Sequence, residues 1–296
     1  MDRFQLMTVF VAVAEEEGFA AGARRLRMSP PAVTRAVAAL EKRLGVQLLH
    51  RTTRHVRATE AGARYLEDAR RILADVDAAD EAAAGVDTQP RGRLAVTAPI
   101  LFGRMFVMPG ILDYLTRYPG TQVSALLLDR VVNLLEEGLD VGVRIGELPD
   151  SNLRALRAGS VRVVLCASRE YLQRHGVPRA PRDLLKHSLI ASSAGGNSLD
   201  WRFDGRLLRI QPRLSVTTND AAIEAALRGF GIARLLSYQV ARHVDAGELA
   251  VVLAKYEPPA LPVHIVHQEG RHASAKVRAF VDLMVQRLRS DPTLAK

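Results

Sequence analysis

Residues 18–62 read GFAAGARRLRMSPPAVTRAVAALEKRLGVQLLHRTTRHVRATEAG, and the fold of the N-terminal part turns on them. Phe19–Leu26 has the small residues and the apolar Leu26 of a short, closely packed helix. Arg27-Met28 makes a turn, and Ser29 follows as an N-cap whose hydroxyl can accept a hydrogen bond from a free amide of the next helix. Pro30 and Pro31 fall in that helix's first turn, where the missing amides have no partner to lose. Val33, Val37, Leu40 and Leu44 then recur at helical steps and make one apolar face. The opposite face carries Thr34, Arg35 and Ala38, short or cationic side chains suited to a DNA major groove. Past Gly45, Val46, Leu48, Leu49 and the run 51–57 suit a two-stranded hairpin with a cationic tip. The pattern is a helix-turn-helix followed by a basic wing.

Charge agrees with this. Residues 19–57 hold nine Lys or Arg against one acid, Glu41. Neutralising DNA phosphates with such a cluster supplies non-specific affinity and makes it salt-dependent. A solvated basic face on an ordinary helical domain is the alternative, and the helix spacing with its wing weighs against it.

The run 28–41 (MSPPAVTRAVAALE), with Arg51-Thr52-Thr53-Arg54 and Thr59-Glu60-Ala61-Gly62, resembles the LysR-type transcriptional regulators. The family usually has Gly or Asn in the turn where this chain has Arg27; an Arg held left-handed there costs about 1 kcal/mol. The resemblance implies a winged helix-turn-helix (all-α with a small β wing) at 1–58 and a dimerising linker helix and hinge at 59–89. It implies an α/β effector domain at 90–296, with two Rossmann-like subdomains arranged as in periplasmic binding proteins. Subdomain I would be 90–162 with 268–296, and subdomain II 163–267. Its partners would be double-stranded DNA, a small-molecule effector (anionic or aromatic), a second copy of the chain, two such pairs joining into a tetramer, and RNA polymerase. Ser29, Pro30, Pro31, Thr34 and Arg35 are expected near base edges or adjacent phosphates, with Arg24, Arg51, Arg54 and Arg57 serving the backbone and wing.

The chain has 296 residues, 48% hydrophobic and 25% charged, a soluble globular composition with room for two or three domains. Its net charge of +9 is not by itself a nucleic-acid signature, because residues 90–296 hold 28 basic and 19 acidic residues while the N-terminal part is balanced overall. The argument rests on clustering. Cys166 is the single cysteine and sits in an apolar run, which favours a buried inert thiol over a redox sensor and excludes an intramolecular disulfide. The apolar run 6–14 lacks a basic leader and is followed by Glu15-Glu16-Glu17, unlike a secretory signal or a membrane span. A cytoplasmic protein, with no membrane partner, is expected.

Along the chain, residues 2–16 read as a helix with Phe4, Met7, Phe10, Val11 and Ala14 as its apolar stripe. Thr59 caps a long helix from Glu60 to about Gly85, with a seam of Leu66, Ala69, Leu73, Val76 and Ala83 that a second copy would bury. The alternative is a helix packed on its own domain. Pro90 and Gly92 place a hinge at 86–92. Beyond it, strands at 93–97, 122–128, 140–144, 153–156, 161–167, 189–191, 215–217, 231–235, 250–253 and 262–267 alternate with helices. Those helices are expected at 101–118 (broken near Pro109), 131–137, 169–175, 181–185, 220–228, 239–245 and 273–289. A hairpin forms around Asp204-Gly205. Such alternation argues for open α/β sheets. By the resemblance, the chain crosses between subdomains near Arg162 and returns near His267.

Ligands of open α/β sheets bind beyond the carboxyl ends of strands, beside free helix amides. That rule selects Thr97, Pro99, Ile100 and Leu101, then Arg144 and Ile145, then Thr218 and Asn219. Thr97, Thr218 and Asn219 offer polar contacts, and Ile100 and Phe102 an apolar wall; Trp201 and Phe203 join them by resemblance alone. Each residue taken singly has a plain reading as a cap, core aromatic or solvated cation.

No enzyme signature stands out. There is no Gly-x-Ser-x-Gly, phosphate loop or His-Glu-x-x-His. Gly229-Phe230-Gly231 follows a helix and enters a strand, the reverse of a dinucleotide loop, and reads as helix termination. His264 and His267 point to opposite faces of a strand, so no metal is expected, nor any cofactor. The loop 192–198 carries no assignable chemistry. The rival readings are a solute-binding protein without DNA function and, with fold-level support only, an enzyme.

Overall fold

The computed structural model describes residues 1–51, 56–83, 89–148, 153–194, 200–203, 205–268 and 273–294, and not the side chains of 51, 74, 75, 77–79 and 81–83. The chain divides into two compact units, Met1–Thr88 and Gln89–Lys296.

In the first unit, α1 (Arg3–Glu15) starts with a capping box between Asp2 and Gln5 and packs against α2 (Phe19–Leu26), α3 (Pro30–Leu44) and α4 (Glu60–Ala83). Because it meets neighbours on several sides, it buries Leu6, Met7, Val9, Phe10, Ala12 and Val13. The narrower expected stripe is corrected: Phe4, in the first turn, is 46% exposed, and Leu44, in the last turn of α3, is also exposed. Gly22 lets α2 approach α1, since a Cβ there would lie 3.1 Å from the Val13 backbone. Arg27 adopts the left-handed conformation, φ 53° and ψ 40°. The Met28 amide then reaches back to Ala23 O at 2.9 Å, the bond pattern that normally recruits glycine.

The wing is β1 (Leu49–Arg51) paired antiparallel with β2 (Val56–Ala58). Thr59 caps α4 as expected: its hydroxyl accepts from Gly62 N at 2.9 Å and donates to Gln47 O at 2.8 Å. The first half of α4 docks on its own unit through Tyr65 and Leu66. Ala69 is fully buried, while Leu73 and Val76 stay partly exposed.

The second unit contains two five-stranded mixed sheets. One runs β4 (Thr121–Leu127), β3 (Gly92–Ala98), β5 (Val141–Ile145), β14 (Leu261–Gln268), β6 (Leu153–Val161). The other runs β11 (Leu214–Val216), β8 (Leu189–Ser192), β12 (Ile232–Leu236), β7 (Val163–Ser168), β13 (Leu249–Val252). A hairpin of β9 (Asp200–Phe203) and β10 (Arg206–Arg209) stands apart from both. In each sheet parallel strands meet antiparallel ones contributed by the far side of a crossover.

Helix α5 (Ile100–Phe102) continues through a π-helical turn, Gly103–Val107, into α6 (Met108–Arg117), which resolves the break expected near Pro109. α10 (Ala275–Ser290) covers the first sheet with Phe280, Met284 and Leu288. α7 (Arg169–His175), α8 (Asn219–Leu227) and α9 (Ser237–Asp245) pack on the second.

Two expectations are corrected. Residues 131–133 have no regular structure and 134–138 form turns in place of the expected helix: Asn133 Oδ1 accepts from Leu135 N at 3.0 Å and Asn133 O from Glu137 N at 3.1 Å, a single capped turn that stops at Gly138, φ 63°. β14 pairs with β5 and β6, so 261–267 belongs to the first sheet and the chain returns before Leu261, not near His267. Strand periodicity reveals a strand but not which distant edge it joins. Gly229, at φ +71°, ends α8 as its sequence suggests. Cys166 is wholly buried, and burial pushes its thiol up to about 12.

Candidate functional site

The N-terminal unit presents a cationic face built on α3. Ser29, Pro30, Pro31 and Arg35 are exposed there, with Thr34 half-buried and its hydroxyl donating to Pro30 O at 3.0 Å. Ser29 stands at the N-cap, yet its hydroxyl makes no capping bond, contrary to expectation. The reason is local. Pro30 and Pro31 have no N–H, and the amides of Ala32 and Val33 are taken by the Ser29 carbonyl at 3.0 and 3.1 Å. The hydroxyl is left available at the tip of the helix.

Arg24 is exposed at the end of α2, and Arg57 is exposed on β2 opposite His50. Arg51 contributes its backbone to β1; its side chain, and Arg54 altogether, lie outside the described residues. Arg25 is different. Its guanidinium pairs with Glu15 at 2.6 Å and Glu16 at 3.4 Å, and Glu15 also binds Arg70 of α4 at 2.7 Å. Burial alone would raise the Glu15 carboxyl, but hydrogen bonds from Arg25 and Arg70 outweigh it and hold the group below its ordinary value. The one acid of the cluster, Glu41, turns inward: Oε1 accepts from Leu48 N at 2.9 Å and Leu49 N at 3.1 Å, fixing the chain as it enters the wing.

The second unit contains a cleft of about 350 Å³ between its two sheets. Pro99, Asp129, Arg144 and Ile145 line it from the side of the first sheet. Ile190, Trp201, Asn219, Arg234 and Tyr238 line it from the second. Arg144 donates to Val132 O at 3.1 Å and Val143 O at 3.2 Å, which aims the guanidinium without neutralising it. Arg234 lies over the Trp201 ring, 5.6 Å from its centroid. Both are half-buried, and burial pulls both guanidiniums below their ordinary value. Neither has a carboxylate within salt-bridge reach among the described residues. Asp129 is engaged with the Ile100 amide at 3.1 Å, and Arg130 with Glu137 at 3.1 Å.

Residues 4–63 match the bacterial regulatory helix-turn-helix proteins of the lysR family, and residues 87–289 match the LysR substrate binding domain. The chain belongs to the LysR family of transcriptional regulators. It is 32% identical to the HTH-type transcriptional regulator CrgA of Neisseria meningitidis over 286 residues, 95% of this chain and 96% of CrgA. It is 31% identical to the HTH-type transcriptional activator AaeR of Escherichia coli over 287 residues, covering 95% and 93%. The CrgA structure superposes with a TM-score of 0.62 at 32% identity, covering 96% of this chain and 98% of that one. Full-length AphB of Vibrio cholerae, at 23% identity, shares the fold with a TM-score of 0.61 over 96% of this chain and 99% of AphB. LysR regulators bind DNA and small-molecule effectors and form oligomers.

For this LysR-type regulator, the cleft contains five of the expected effector residues: Pro99, Arg144, Ile145, Trp201 and Asn219. The others are corrected. Thr97 is still inside β3, paired with Leu126 and Gly142, and its side chain is fully buried. Leu101 and Phe102 face the core, where Phe102 meets Tyr238 edge-on at 5.3 Å, and Ile100 is exposed and does not line the cleft. Phe203 packs in the core behind the hairpin, and the Thr218 hydroxyl caps α8 by accepting from Ala221 N at 3.4 Å. Arg234 and Asp129 were missed. Asp129 follows a strand and was open to the same rule, whereas Arg234 is an unremarked residue inside a strand and had no local signal.

Among the described residues no group of three or more His, Cys, Asp or Glu is placed to hold a metal, and no helix is long and apolar enough to cross a membrane.

Proposed function

We propose that this regulator binds a dyad-containing promoter site as a dimer of dimers, and that a small anionic or aromatic molecule in the cleft shifts closure of its two subdomains and so the spacing of the DNA-binding pairs. The cationic face of α3 carries the reading: Ser29, Pro30, Pro31, Thr34 and Arg35 meet base edges or adjacent phosphates, while Arg24, Arg51, Arg54 and Arg57 hold the backbone. In this reading residues 1–58 are the reading head, 59–89 the dimerising linker and 90–296 the effector domain. The partly exposed Leu73 and Val76 in the second half of α4 support a helix completed by a second copy. RNA polymerase is the further partner at the promoter, and the cytoplasm the setting.

The test is footprinting on the chain's own upstream region across a salt series, with sedimentation of the free and bound protein. The reading expects a protected site with two-fold symmetry, four chains per site, and steep loss of affinity with salt. A strictly monomeric protein indifferent to any duplex at low salt would falsify it.

A further inference from the structure

Two arginines face the same cleft from different sheets, Arg144 in β5 and Arg234 in β12. Each is partly removed from water, and neither has a carboxylate partner among the described residues. The cleft's other charges are Asp129, whose carboxylate accepts from the Ile100 amide and makes no salt bridge to either arginine, and Arg130, which is paired with Glu137. A desolvated cation without a counter-ion is costly, and a hydrogen-bonded anion relieves that cost. One small monoanion engaging one guanidinium leaves the other as it was. The lining is mixed, and its apolar part includes Pro99, Ile145, Ile190, Leu235 and Trp201.

Building on the proposed effector role of this cleft, we infer that its ligand is a dianion: a compact molecule with two separated anionic groups, one met by Arg144 and the other by Arg234, and a hydrocarbon middle against the apolar walls. A ligand held by both arginines would bridge the two sheets, and would therefore favour the arrangement of the sheets that lets both contacts form. Trp201 stacks on the second arginine, and Asn219 lines the same cleft.

Trp201 is the only tryptophan in the chain, so its fluorescence reports the cleft directly. The full-length protein is titrated with unbranched α,ω-dicarboxylates of graded length, phthalate isomers, and carboxyalkyl phosphates, each beside its matched monocarboxylate and neutral ester. The inference expects the best diacid to bind at least about tenfold tighter than its monoacid. Arg144→Gln and Arg234→Gln should each reduce the diacid to the monoacid's affinity. Preference between the dicarboxylate and phosphate series identifies the second anionic group. If Arg144→Gln gives no cooperative unfolding, Arg144→Lys replaces it and should retain part of the preference.

Equal affinity for monoacid and diacid, tighter binding of the neutral ester, or no diacid binding at millimolar concentration each overturns the inference. A gel shift on the same samples keeps the two readings apart. Specific DNA binding without diacid binding sinks only the dianion, whereas loss of specific DNA binding in the unmodified protein sinks the regulator reading.

Discussion

Arginine does opposite work in the two units of this chain. On the N-terminal head, Arg24, Arg35 and Arg57 stand in solvent, where a cation costs nothing to keep and can meet a phosphate at long range. In the effector domain, Arg144 and Arg234 are half-buried, held over a carbonyl pair and an indole ring, with no carboxylate in salt-bridge reach among the described residues. The first arrangement attracts a polyanion through many weak, screened contacts; the second concentrates selectivity in two desolvated ones. Position relative to water separates the two roles, and the residue type does not.

The largest effect that would sharpen this contrast concerns the frame that holds the head. A Cβ at Gly62 would lie 1.8 Å from the Leu48 carbonyl oxygen, so Gly62→Ala must push α4 away from the wing. We expect a loss of about 3 kcal/mol or more confined to the head. Circular dichroism should show the helical loss while the Trp201 fluorescence transition stays in place; a matching shift in that transition would erase the independence assumed here. Next comes Glu41→Ala. Removing the carboxylate that caps Leu48 N and Leu49 N should cost about 1–3 kcal/mol. It should also weaken DNA binding, although deleting a negative charge alone predicts the reverse. Tighter binding would mean the wing does not need that tether.

Within the head, solvent-facing and paired arginines should separate in the salt dependence of DNA affinity. Arg35→Ala is expected to weaken binding and, if the contact is to phosphate, flatten the log–log salt slope by about 1. Arg25→Ala, already paired with Glu15 and Glu16, should leave the slope nearly unchanged. Equal slopes would break the distinction. Acid should have the smallest effect. Glu15 has its folded pKa held down, so its contribution is present above the unfolded value of 4.5 and is lost as pH falls through the lower folded value. Both arginine partners are substantially solvated, so the loss is under about 1 kcal/mol, measured by urea unfolding of Glu15→Gln against the parent at pH 7 and in acid. A difference that persists unchanged into strong acid would assign the effect to packing.

Much of the head was legible because its signals are local. The prolines after Ser29, the apolar steps of α3 and Thr59 before α4 act within one or two helical turns, and the elements begin where those residues put them. The same reading misplaced Phe4 and Leu44, since how many sides of a helix are covered depends on neighbours. It also put Thr97 at the ligand: a strand end one residue further on turns a binding side chain into a core one. Residues 131–137 show helical spacing yielding only one capped turn, which stops at the left-handed Gly138.

What the amino-acid order alone determined was the cationic reading head, its capped rod and the alternation of an α/β domain, because helical and strand periodicities are written within a few residues of one another. What only the tertiary structure decided was that β14 enters the first sheet between β5 and β6 and that Arg144 and Arg234, far apart along the chain, line one cleft with no carboxylate in salt-bridge reach of either among the described residues. Which strand edges pair, and which charges are left desolvated, follow from packing among distant segments, and no short-range pattern encodes that.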